Sequence, residues 1–196
     1  MSVVVAVTSE SNGCLATDSQ ETNLETLGSS FTRPKSLRVT EHLVVGYVGH
    51  SDPCEAIATL AKKIHSAKQG NSNIDCFLES IRSAIDLTKL QYGQNCLNSY
   101  YTTFIIVGMN DDNNPTILVY GTASNFRPYS AQRDKNGISK VVLPPEDVDM
   151  DIANSIAKAE MTKDTASHLD QYAIRVVSKI SQLSQYCGGE PRTLWV

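Results

Sequence analysis

Ser2, Asp18 and Lys35 are residues whose types and spacing could do chemistry together. A serine at the head of a chain carries both a nucleophile and its own base. Its α-amine has an ordinary pKa of about 7.7–8.0, so a useful neutral fraction exists at physiological pH. An internal serine needs a separate base, whereas a terminal serine or threonine uses the amine, directly or through a water. Ser2 reaches that position once Met1 is removed, and its small side chain permits that removal. Such a site needs two supports: a carboxylate to anchor the amine end and a cation to lower the hydroxyl pKa. Asp18 stands in a strand expected to pair with the one that follows Ser2, and Lys35 stands just ahead of a third strand. A glycine turn, Gly46-Tyr47-Val48-Gly49, is placed to offer a backbone N–H to an oxyanion. The plain alternative is a frayed Ser2, a turn-forming Asp18 and a surface Lys35.

Other chemistries find little support. The sequence has no G-x-S-x-G elbow, no H-E-x-x-H and no P-loop. His42, His50, His65 and His168 are isolated and read as surface or packing residues; His50 is notable only for lying in the glycine turn. Asp111-Asp112 falls in an ordinary hairpin loop. The five cysteines, Cys14, Cys54, Cys76, Cys96 and Cys187, are scattered without a C-x-x-C, which fits neither a disulfide framework nor a zinc site. A reducing cytoplasm is the expected setting. A net charge of -4 argues against a nucleic-acid partner held by general electrostatics. No apolar run approaches the ~18 residues of a membrane span. Val3–Val7 is too short for a signal h-region and lacks a basic flank, so no leader and no membrane partner are expected.

The 196 residues suggest one domain, 1–196, able to bury a core. Residues 2–8 read as a buried strand, with Asn12-Gly13 as a two-residue hairpin turn and Cys14 to Gln20 as the returning strand. Residues 21–34 suit a loop or a short strand pair. Ser36 to Val39 and His42 to Val48 form a second hairpin. Asp52 as N-cap, Pro53 at the first helical position and Glu55 at the third mark a helix start. A second helix follows, with Phe77, Ile81, Ala84 and Ile85 on one face, ending by Gly93. Tyr101 to Met109 and Thr116 to Tyr120 are strands around the turn at 110–115. Residues 123–148 show no clear element, and Pro144-Pro145 argues against one. Helices are expected over 149–161 and 165–184, then a last strand, Thr193 to Val196. Strands, helices, strands, helices, strand is not a β-α alternation, so antiparallel hairpins with helices on their faces fit better than a doubly wound sheet. The fold class is α+β, and a four-layer αββα sandwich accommodates the order.

These residues also resemble a family. Ser2 with its apolar strand, Ala16-Thr17-Asp18-Ser19-Gln20-Glu21-Thr22, Lys35-Ser36-Leu37-Arg38-Val39 and Val45-Gly46-Tyr47-Val48-Gly49 before a helix resemble proteasome β-type subunits, most nearly the bacterial HslV-type peptidases. Gly121-Thr122-Ala123 and Cys187-Gly188-Gly189 extend the match in order over nearly the whole chain. The family is the N-terminal-nucleophile hydrolases, built as αββα sandwiches. The resemblance implies Ser2 in place of the threonine nucleophile, Asp18 as the strand aspartate, and Lys35 as the catalytic lysine after one extra loop residue. It implies Gly49 as the oxyanion glycine. Thr22 and Tyr47 would line the substrate cleft, Tyr47 near the pocket for the residue before the scissile bond. Thr122 keeps a hydroxyl at a supporting position, and Ser184 and Cys187 occupy the places of an aspartate and a serine in a late glycine turn. Serine for threonine removes the methyl that restricts the rotamer. The implied activity is cleavage of peptide bonds in peptides or unfolded proteins, with no cofactor and no metal, in a homo-oligomeric ring that an ATPase partner could feed. Alternatives on the same fold are an inactive structural ring subunit, or an amidase or transpeptidase using the same site.

Overall fold

The computed structural model describes residues 2–22, 29–69, 73–92, 102–161 and 165–196, with the side chains of residues 21, 22, 29–32 and 51 outside that description. The strands are β1 (Val4–Thr8), β2 (Gly13–Thr17), β3 (Gln20–Thr22), β4 (Ser29–Thr32), β5 (Ser36–Thr40), β6 (Leu43–Gly49), β7 (Thr102–Met109), β8 (Pro115–Gly121), β9 (Tyr129–Ser130), β10 (Ser139–Leu143) and β11 (Arg192–Trp195). The helices are α1 (Ser51–Ala67), α2 (Ile74–Tyr92), α3 (Met150–Ala159) and α4 (Leu169–Ser181). A four-stranded sheet runs β10-β1-β2-β11, a five-stranded sheet runs β5-β6-β7-β8-β9, and β3-β4 form a ribbon. Among the described residues every pairing of named strands is antiparallel, and the chain is α+β. No described helix is long and apolar enough to cross a membrane.

β1 and β2 are buried at every position. A strand covered on both faces reads as a continuous apolar run, which is why Val3 to Val7 shows no alternation. The two faces serve different cores. Val3, Val5, Val7, Cys14 and Ala16 pack with residues of α3 and α4, including Ala153, Tyr172 and Val176. Val4, Ala6 and Leu15 pack with Val44, Ile105 and Val119 of the five-stranded sheet. The opposite face of that sheet, with Val45, Tyr47, Phe104 and Ile106, packs with Ile57 of α1 and Phe77 and Ile81 of α2.

Several expected boundaries move. Gly13 already pairs with Thr8, so the first hairpin turns through Ser9–Asn12, closed by the Ser9 N–H to the Asn12 carbonyl at 2.8 Å, and not through Asn12-Gly13. The expected strand over 14–20 breaks at Asp18-Ser19, where β2 ends and the β3-β4 ribbon begins. His50, not Asp52, is the N-cap of α1, and the Cys54 N–H makes the first bond to the His50 carbonyl at 3.2 Å. Pro53 then lies in the first turn, where its missing N–H is one the helix could not use. The segment expected to be irregular contains β9 and β10; Val4 of β1 pairs with Leu143 of β10, and Pro144-Pro145 only terminate that strand. The last helix is shorter than 165–184, a single 3-10 turn at Thr165–Ser167 preceding it. The expected helix end at Gly93 and the cysteine at 96 lie outside the described residues.

Candidate active site

The first strand hairpin brings Asp18 to the start of β1. The Val3 N–H donates to Asp18 Oδ1 at 2.9 Å, and the Asp18 N–H donates to the Val3 carbonyl at 3.3 Å. Pairing therefore extends one residue beyond the named strands and fixes the peptide that follows Ser2. Side chains alternate along an extended chain. With Val3 on the α4 side and Val4 between the sheets, alternation puts Ser2 on the inter-sheet side. Ser2 is 1% exposed.

The second Asp18 oxygen faces Lys35. Lys35 Nζ donates to Asp18 Oδ2 at 2.7 Å, and also to the Gln20 carbonyl. Both side chains are buried, Lys35 at 1% and Asp18 at 0% exposed. The Gly188 N–H adds a longer contact to the same oxygen at 3.5 Å. Burial pushes the Asp18 carboxyl above its ordinary value, while the Lys35 ammonium and the Val3 and Gly188 N–H groups pull it down. The sequence places these residue types close in the chain; the structure shows them as one buried, hydrogen-bonded pair.

A turn from the far end of the chain completes this wall. The Gly188 carbonyl accepts from Ser19 N–H at 3.2 Å and Gln20 N–H at 3.0 Å, tying the turn to the point where β2 ends. Gly189 has φ of +72°, and a Cβ there would lie 2.6 Å from Ser19 Oγ, so the position needs glycine for conformation and for space. Cys187 is buried beside Asp18 and Lys35; burial, with the Asp18 charge, pushes its thiol up to about 12. The Ser184 hydroxyl, three residues before Cys187, donates to the Asp147 carboxylate at 2.8 Å. Sequence reasoning missed Asp147, because nothing local in Glu146-Asp147-Val148 signals a partner 37 residues away.

The remaining expected residues are placed as follows. Gly49 ends β6 opposite Thr102, with φ of +126°, so its peptide orientation is one that glycine alone takes easily. Tyr47 is 2% exposed and lies in the core between sheet and helices. There it braces the lysine segment and does not wall an open cleft: its hydroxyl donates to the Pro34 carbonyl at 2.8 Å and its N–H to the Lys35 carbonyl at 3.1 Å. The Thr122 hydroxyl accepts from Thr102 N–H at 3.0 Å and approaches Thr103 Oγ1 at 3.2 Å. It stitches the end of β8 to the start of β7, and none of its described hydrogen bonds reaches Ser2 or Asp18. Thr22 pairs with Ser29 through the backbone, and its side chain lies outside the described residues.

No family model matches this sequence, and no curated protein matches it. The geometry therefore carries the functional reading.

One expected outcome concerns the thiols. Cys14, Cys54 and Cys187 are buried, and burial pushes each thiol up to about 12, whereas Cys76 is exposed. Only thiolates alkylate readily. Iodoacetamide at about pH 8 should modify Cys76 in the native protein and leave Cys14, Cys54 and Cys187 until denaturation. Peptide mapping by mass spectrometry checks this, and native labelling of Cys187 would show that the glycine turn opens.

Proposed function

We propose that this chain is a proteasome-like peptidase that cleaves peptide bonds with Ser2 as its terminal nucleophile, on a four-layer αββα sandwich. The observation that carries the reading is the buried Lys35–Asp18 pair, whose other carboxylate oxygen holds the peptide of Val3 immediately after Ser2. An ordinary surface lysine would not be 1% exposed beside the first residues of the chain. The sandwich is supported by the three apolar clusters, one between the sheets and one under each helix pair.

Removal of Met1 gives Ser2 a free α-amine. The Ser2 hydroxyl loses its proton to that amine, directly or through a water, and its oxygen attacks the scissile carbonyl. Lys35 favours the oxygen anion electrostatically, and the Gly49 N–H receives the negative charge on the tetrahedral carbonyl oxygen. Collapse breaks the C–N bond, the amine returns its proton to the leaving nitrogen, and an ester remains on Ser2. Water attacks that ester, releases the acid and restores the hydroxyl. Asp18 holds the Lys35 amine with one oxygen and the chain start with the other, keeping the two in register. The substrates are peptides or unfolded protein segments, and a homo-oligomeric ring, with or without an ATPase partner, would keep the site from folded proteins.

Intact mass of natively produced protein tests the premise. The expected mass is that of a chain beginning at Ser2. Native protein carrying Met1 on essentially every molecule would sink the catalytic reading and favour an inactive structural subunit.

A further inference from the structure

The Ser2 reading uses three pieces of backbone that the chain delivers separately: the end of β2 with Asp18, the segment with Lys35, and the glycine end of β6 that leads into α1. Arg33 touches the first and last of these and is two residues from the second. Its N–H donates to the Ser19 carbonyl at 2.8 Å, next to Asp18. Its guanidinium forks, Nη1 to Asp52 Oδ1 at 2.7 Å and Nη2 to Glu55 Oε2 at 2.5 Å. Both carboxylates lie at the start of α1, a few residues after Gly49. Pro34 and Lys35 follow directly, with their carbonyls held by Tyr47.

We propose that Arg33 is a positioning residue, fixing Lys35 against Gly49 by clamping the Asp18 wall to the first turns of α1. This rests on the Ser2 reading for its catalytic consequence. The clamp is partly solvated, with side-chain exposures of 31% for Arg33, 86% for Asp52 and 42% for Glu55. Pairs this exposed contribute little to global stability. Their contribution is orientation: the Nη1–Asp52 hydrogen bond fixes direction and the Nη2–Glu55 ion pair adds a second tether, a two-point hold that a lysine point charge matches only in part. A catalytic group displaced by about 1 Å loses roughly a hundredfold in rate, so a loosened clamp matters at the site before it matters to the fold. Arg33 also borders a groove of about 310 Å³ along α1, with Glu55, Thr59 and Lys63. A residue that bound substrate from that groove would behave differently, and kinetics separate the two roles.

The test uses Arg33→Ala, Arg33→Lys and the milder Glu55→Gln in the full chain. Arg33→Ala should lower kcat about ten- to a hundredfold with KM within about twofold, and Arg33→Lys should recover part of the loss. Glu55→Gln should move kcat the same way by less. A second readout does not need activity: acetylation of the Lys35 amine in the folded protein, followed by peptide mass spectrometry. Lys35 should acetylate slowly in the wild type and several-fold faster in Arg33→Ala. A raised KM with unchanged kcat would overturn the proposal in favour of substrate binding. Equal Lys35 protection in all variants would overturn it outright. Should the wild type cleave no peptide, the Ser2 reading fails, and Lys35 acetylation alone then decides whether the clamp exists.

Discussion

Lys35→Ala should cost the fold about 3–5 kcal/mol, because it strands the Asp18 carboxylate in the interior without its ammonium. Read from the sequence, Lys35 is a cation at a loop end whose loss would leave the fold intact. The structure reverses that expectation, since Lys35 is 1% exposed and bonded to Asp18 at 2.7 Å. Hydrolysis should fall as well, on the scale of about 2.7–4 kcal/mol for loss of one charge-stabilising group. The two effects need separating. Asp18→Asn combined with Lys35→Met removes both charges, keeps an acceptor for the Val3 N–H, and should recover much of the stability while remaining inactive. Urea melts and peptide turnover on the single and double variants give both numbers. A Lys35→Ala protein with the melt and turnover of the wild type would remove Lys35 from fold and mechanism alike.

Ser2→Ala should leave the fold in place and reduce turnover by about 10⁴- to 10⁶-fold, the scale seen when a nucleophile is deleted from a catalytic unit. It removes one oxygen and creates almost no cavity. Ser2→Thr keeps the hydroxyl and adds the methyl that narrows its rotamer choice, so it should stay active. Both variants must first be shown by mass to begin at residue 2, because a blocked amine would silence either. Undiminished turnover by processed Ser2→Ala would place the nucleophile elsewhere.

Some of this was legible beforehand for local reasons. The Val3–Val7 run is apolar because both its faces are covered, and the turn at Asn110–Asn114 follows from Asn110, whose side-chain oxygen accepts from the Asp112 and Asn114 N–H groups at 3.1 and 2.8 Å. The β10 strand was hidden because Pro144-Pro145 was read as disrupting a whole segment when it marks only an end. For the site, the types at Ser2, Asp18 and Lys35 were readable and the burial was not. Whether a lysine is buried depends on a partner that reaches it through tertiary folding, here from 17 residues away. Asp147 and the Arg33 fork were invisible for the same reason, each acting on a group far along the chain.

The position of β1 inside its sheet sets a timetable. Its partners are β2, which is made almost at once, and β10, which leaves the ribosome after nearly three-quarters of the chain. At about 5–20 residues per second, translation of the intervening stretch takes roughly 7 to 28 seconds. During that interval the head of the chain is open to an aminopeptidase. Once β10 docks, β1 is paired along both edges and Ser2 is 1% exposed. On the proposed reading, removal of Met1 belongs to this interval, and nascent chains caught before β10 is made should already begin at Ser2.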